Sequence, residues 1–215
     1  MSSNNLTPIK HNPIETTGFL MNKEYLDIGK KSMDLMKIWQ NPECKDEINF
    51  NGMRFEMAIP YGVSEEKISE IITHFLNDIT DGNKNKELII VDPYFYPNNK
   101  NKPDVKKYCS LILNIFAEYF EKTENLYIIT RPDIDINSNK DIIESEIIKI
   151  NPSIKIYHRT HKGYHDRFYI SDRKKGFLLG TSLNGVGNKF SVIMRMEPLD
   201  IEVVIRHLKK DDLVP

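Results

Sequence analysis

Two hydrophobic rhythms alternate along the chain from Ser64 onward. Ile68, Ile71, Ile72, Phe75, Leu76 and Ile79 recur at the helical period, behind Ser64 as a candidate N-cap and Glu65 and Glu66 at the positive helix end, with Gly82 as the stop. Residues 87–92 then form an unbroken apolar run closing on Asp92-Pro93, the pattern of a strand buried on both faces whose carboxyl end carries a polar group. The rhythm repeats: an amphipathic helix over 104–122, a strand over 126–130, a short helix over 140–150 with Ile142, Ile143, Ile147 and Ile148 inward, and a strand over 154–157. Helices between short strands predict parallel pairing, helices covering the sheet, and ligands outside the carboxyl ends of the strands.

Beyond residue 160 the elements shorten. Runs over 166–171 and 176–180 are joined by 172–175 at hairpin spacing, a Gly-rich turn covers 181–187, a strand is expected over 190–196, and a helix over 200–210 presents Ile201, Val204, Ile205 and Leu208. Before Ser64 the pattern is weaker. Residues 1–21 are polar and expected to be loose, 23–39 fit one helical face imperfectly before Pro42, and Asn51-Gly52 marks a type I′ hairpin within 48–59. Met33, Met36, Met53 and Met57 are read as packing residues. The expected organisation is therefore a leader (1–21), a small helix-plus-hairpin extension (22–62) and an α/β domain (63–215) with a mixed, largely parallel sheet flanked by helices. No internal repeat is visible.

Composition narrows the class. Apolar residues at 40% suffice for a core, and charged residues at 28% argue against membrane residence. No apolar run approaches the roughly 18 residues that span a bilayer. The N-terminus lacks a secretory apolar region, and Cys44 and Cys109 lack metal-ligand spacing, so a reducing cytoplasm is expected. The formal charge is only −1. Between Lys155 and Lys189, however, eight Lys and Arg face two Asp, alongside His158, His161 and His165. A local basic surface on a neutral chain points to an anionic ligand.

Candidate chemistry lies in that stretch, in His165-Asp-Arg167-Phe-Tyr-Ile-Ser-Asp172 and Gly180-Thr181-Ser182-Leu-Asn184-Gly185. Strand alternation puts His165, Arg167 and Tyr169 on one face, pairing an imidazole nitrogen with a permanent cation that can fork onto phosphate oxygens. The turn after Gly180 adds hydroxyl, amide and backbone N–H donors suited to an oxyanion. These residues resemble the phospholipase D superfamily signature: His-any-Lys, four residues, Asp, then Gly-Ser or Gly-Thr-Ser and Asn. Arg167 stands where the family has Lys, which keeps the charge and changes size and geometry. Leu88-Ile-Ile-Val-Asp-Pro-Tyr94 and Tyr164-His-Asp-Arg167 are also similar to the phospholipase D-like C-terminal domain of MIT-domain proteins, a branch regarded as non-catalytic and lipid-binding. Asp172 and Gly180-Thr-Ser-Leu-Asn184 bring the chain nearer to bacterial phospholipase D-like proteins.

The resemblance implies His165 as phosphohistidine nucleophile or acid, Asp172 as a supporting carboxylate, and Arg167, Thr181, Ser182 and Asn184 on the phosphate. Asp92 either borders the site or caps a turn, Glu197 is a candidate to orient a histidine, and His158 and His161 are candidates for a second catalytic histidine. The leading expectation is a cytoplasmic nuclease-type phosphodiesterase that uses no metal or cofactor and joins two half-sites in a homodimer on a nucleic-acid backbone. The alternatives are a non-catalytic module binding nucleic acid or anionic lipid phosphate, and a docking subunit of a larger complex.

Overall fold

The computed structural model describes residues 56–80, 86–98, 104–133 and 135–215. The expected leader, the helix over 23–39, the Asn51-Gly52 turn, Met33, Met36, Cys44, Met53 and the helix stop at Gly82 lie outside the described residues. The chain divides into two units, Met1–Asn49 and Phe50–Pro215, and everything described belongs to the second.

Seven strands make one sheet: β1 (Glu56–Ile59), β2 (Glu87–Val91), β3 (Asn125–Thr130), β4 (Lys155–Thr160), β5 (Arg167–Ser171), β6 (Lys175–Leu179) and β7 (Ser191–Arg195), in the order β1-β7-β6-β5-β2-β3-β4. The run of alternating helices and strands pairs as its rhythm predicts, β2 with β3 and β3 with β4 in parallel. The other four pairings, β2–β5, β5–β6, β6–β7 and β7–β1, are antiparallel. The sheet is therefore mixed with an antiparallel majority, not largely parallel. The tight turn over 172–174 permits only an antiparallel β5–β6 pair, because a parallel return needs a crossover of a dozen residues or more.

Helices α1 (Glu65–Thr80), α2 (Val105–Lys122) and α3 (Asn137–Ile150) cover one face, where Ile72, Phe75, Phe116, Phe120 and Ile143 pack on Leu88, Ile90, Ile128, Tyr169 and Phe177. Helix α4 (Pro198–Lys210) covers the other, setting Ile201, Ile205 and Leu208 against Ile89, Val91, Ile129 and Ile170. The apolar runs of β2 and β3 are thus buried on both faces, as their lack of alternation requires. Ser64 caps α1 as expected, accepting the Lys67 N–H at 3.3 Å. Asp104 caps α2, accepting from Lys106 and Lys107. One helix departs from its reading. In α3 only Ile143 and Ile147 of the four isoleucines turn inward, while Ile142 and Ile148 are 43% and 46% exposed. At 100° per residue the four cannot share the narrow seam that α3 presents to the sheet.

The β5–β6 hairpin turns through Asp172 and Arg173, both with positive φ (48° and 58°), the geometry of a type I′ connection. Its register sets Phe168 opposite Val91 and Arg167 opposite Leu179. The start of β5, the end of β6 and the carboxyl ends of β2, β3 and β4 therefore lie along one edge of the sheet.

Candidate phosphate site

Asp92 organises this edge. It follows the last residue of β2, is fully buried, and its carboxylate accepts three hydrogen bonds: from the Tyr169 hydroxyl (3.2 Å), the Leu183 N–H (3.0 Å) and the Tyr94 N–H (3.0 Å). A buried charge is tolerated only when its lone pairs are satisfied in this way. Burial, with the Asp92 carboxylate beside it, holds the Tyr169 phenol well above its ordinary pKa, so it stays a donor. Asp92 thus ties the end of β2 to the middle of β5 and to the turn after β6.

That turn is a short 3₁₀ segment, Leu183–Gly185, closed by the Gly185 N–H donating to the Ser182 carbonyl at 2.7 Å. The Leu183 side chain enters the core, which fixes the neighbours on either side. Gly180 makes the entry possible: a Cβ there would lie 3.2 Å from the Val192 nitrogen of β7 and 3.1 Å from the Val192 Cγ2. Asn184 points its amide at the Tyr94 carbonyl (3.1 Å), closing the loop after β2 from the other side.

Arg167, half-buried at the start of β5, donates from Nε to the buried Ser182 hydroxyl (3.3 Å) and from Nη1 to the Gly180 carbonyl (3.4 Å). Among the described residues no carboxylate pairs with it. Among the described residues two of its five N–H donors are used, at 3.3 and 3.4 Å. Thr181 is half-buried between Gly180 and Ser182.

His165 is exposed in the loop before β5, two residues from Arg167, and its imidazole makes no hydrogen bond among the described residues. His161, which follows β4, is engaged locally: its Nδ1 accepts the Gly163 N–H at 3.0 Å, and its ring lies against Tyr164. His158 belongs to β4 and faces α3, with Nε2 2.8 Å from the Thr130 hydroxyl; burial and Lys140 push its pKa down. Neither stands free as a second catalytic histidine.

The fold does not bring two candidates to the site. Asp172 follows the opposite end of β5, at the far edge, where its carboxylate accepts the Glu87 N–H (3.0 Å) and locks the hairpin to the start of β2. A strand runs between it and His165, so it has no catalytic position. Glu197 precedes α4, beyond the end of β7, at the same far edge. Met196 beside it bonds to Gly176 at the start of β6, so Glu197 cannot orient His165.

Sequence reading missed the groups that complete the edge. Arg131, just past β3, forks onto Asp133 (2.9 and 2.5 Å) and donates to the Tyr94 hydroxyl at 3.0 Å. The available signal was position: Arg131 follows a strand parallel to and next to the one that ends at Asp92. No helix among the described residues is long and apolar enough to cross a membrane.

No family model matches the chain, and no curated protein matches it. Among solved structures it is similar to polyphosphate kinase from Porphyromonas gingivalis, with TM-score 0.45 and 11% identity over 84% of this chain and 29% of that one. It is also similar to TrmBL2, an archaeal chromatin protein with a novel mode of DNA binding, at TM-score 0.40 and 14% identity over 87% and 62%. Yeast tyrosyl-DNA phosphodiesterase follows at TM-score 0.37 and 10% identity over 67% and 32%. The chain spans less than two thirds of the length of each of these proteins.

Proposed function

We propose that this chain handles phosphodiesters at the Asp92 edge, as a phospholipase D-like phosphodiesterase acting on a nucleic-acid backbone. One observation carries the reading: Arg167 is oriented by Ser182 and Gly180, with no carboxylate among the described residues to neutralise it. A preorganised, unpaired guanidinium with free N–H groups is a receptor for an anionic oxygen pair. His165, two residues away and unencumbered, is the nucleophile. Its ring nitrogen attacks phosphorus, the P–O bond to the leaving oxygen breaks, and that oxygen takes a proton from a second histidine. Water then cleaves the P–N bond, giving its proton back to that histidine.

Among the described residues a single chain supplies one such histidine. The reading therefore includes a homodimer with two copies of His165 facing each other across a two-fold axis, inside a cytoplasmic protein. Purified protein is expected to cleave a diester substrate in the presence of EDTA and to elute as a dimer by light scattering. His165→Ala should abolish cleavage while leaving oligonucleotide retention intact. Activity that vanishes in EDTA and returns with magnesium would overturn the histidine mechanism. A second reading, a non-catalytic module binding the same phosphate in nucleic acid or lipid, is favoured by His165 having no orienting hydrogen bond among the described residues. Retention of oligonucleotide without any cleavage would select it.

A further inference from the structure

The residues that flank the phosphate site do more than close a loop. Tyr94 lies immediately beyond the buried Asp92-Pro93 pair, yet 36% of it is exposed. Exposed aromatics on loops usually move. Tyr94 is held by three bonds: its N–H donates to Asp92, its carbonyl accepts from Asn184 and its hydroxyl accepts from Arg131, while the Arg131 N–H bonds to the adjacent Pro93 carbonyl at 3.3 Å. Arg131 is itself clamped by its two bonds to Asp133, and its guanidinium carbon lies 5.8 Å from the Tyr94 ring centroid. Asn184 belongs to the same turn as Ser182, the Arg167 partner, so the ring and the phosphate-binding cation share one rigid frame.

We infer that Tyr94, braced by Arg131, is a stacking platform for an unpaired base next to the phosphate held by Arg167. The ligand class is single-stranded nucleic acid. A flat, immobile, partly exposed ring presents a π-face at no ordering cost, and every base has a matching face. The adjacent guanidinium, bonded to the hydroxyl and 5.8 Å over the ring centroid, adds positive charge beside the stacked base. In a duplex the base faces are covered by their neighbours, so duplex DNA can use Arg167 but not Tyr94. This inference rests on the phosphodiester reading above, and its test separates the two.

Fluorescence anisotropy on the full chain, at fixed salt, compares a labelled thymidine oligomer, an abasic oligomer of equal length and a blunt duplex. Wild type is expected to bind the base-bearing strand about five- to a hundredfold more tightly than the abasic strand. Tyr94→Ala and Tyr94→Leu should both abolish that difference. Leucine retains the packing volume without a π-face, so a fold defect in the alanine variant does not decide the matter. Tyr94→Phe should keep most of the difference, and Arg167→Ala should weaken both strands in parallel. Equal wild-type binding to abasic and base-bearing strands, still sensitive to Arg167, overturns the platform and leaves the phosphodiester reading standing. Failure to retain any of the three, with retention on anionic vesicles instead, overturns both.

Discussion

Arg167 and Asp92 divide the work at the residue scale, the first as the proposed ligand contact and the second as a support of the fold. Arg167→Ala removes a charged donor that has no internal ion-pair partner among the described residues. It is expected to weaken oligonucleotide binding by about 1–3 kcal/mol with little change in denaturant midpoint. Arg167→Lys keeps the charge but loses the fork onto Ser182 and Gly180, so intermediate affinity is expected in the same titration. Asp92→Ala does the opposite. It strands the Tyr169 hydroxyl and the Leu183 N–H in the interior, which should cost on the order of 3 kcal/mol of stability, read from urea unfolding. If Asp92→Ala leaves stability intact and removes only ligand binding, its assignment as the organiser of this edge fails.

Registers decide what the elements accomplish. The far-edge corner, where Asp172 accepts the Glu87 N–H and Arg173 forks onto the Glu87 carboxylate with two 2.7 Å bonds, clamps the β5–β6 hairpin to the first residue of β2. A one-residue slip of β5 would turn Arg167 to the α4 face and Phe168 to the site. Asp172→Ala is therefore expected to lower stability by roughly 1 kcal/mol, seen as a reduced melting temperature, and to leave oligonucleotide affinity unchanged while the protein is folded. Asn151, at the end of α3, plays a comparable part on the helical side. Its amide donates to the Phe120 and Thr123 carbonyls at 2.9 Å each, closing the open end of α2. Both residues belong to turns, yet each serves an element remote in sequence.

Across the whole molecule the buried tyrosines set the alkaline limit. Burial raises the phenols of Tyr96, Tyr108 and Tyr169 well above their ordinary value, and that of Tyr119 to about 12. In the unfolded chain these groups lose protons near pH 10, while in the folded protein they hold them. The unfolded state thus binds fewer protons above that pH, and stability should fall as the pH rises from about 10 upward. Urea midpoints measured at pH 8, 10 and 11 test this, and a flat profile would contradict it. His158 acts at the other end. Its pKa is depressed, chiefly by burial, so the unfolded chain takes up the proton first and stability should fall as the pH drops below about 6.5.

The helices over 65–80 and 105–122, the buried strands β2 and β3 and the β5–β6 hairpin were legible because each is a local matter. A periodic apolar face, an unbroken apolar run or a two-residue turn forms for reasons contained within a few neighbouring residues. The grouping of Arg167 with Ser182 and Asn184 was legible for a similar reason: strand alternation and a Gly-rich turn limit where those side chains can point. Beyond the parallel run and the β5–β6 hairpin, pairing was not legible. Whether β5 joins β2, and in which direction, depends on contacts between residues some eighty positions apart, such as Tyr169 with Asp92 and Asp172 with Glu87. That pairing turns Asp92 from an ambiguous strand-end carboxylate into the acceptor of the Tyr169 hydroxyl and sends Asp172 to the far edge beside Glu87. The local signal in a strand specifies what it buries. Its neighbours are chosen only by the free energy of the assembled sheet, in which one register gives the buried Asp92 the Tyr169 hydroxyl and a shifted register takes it away.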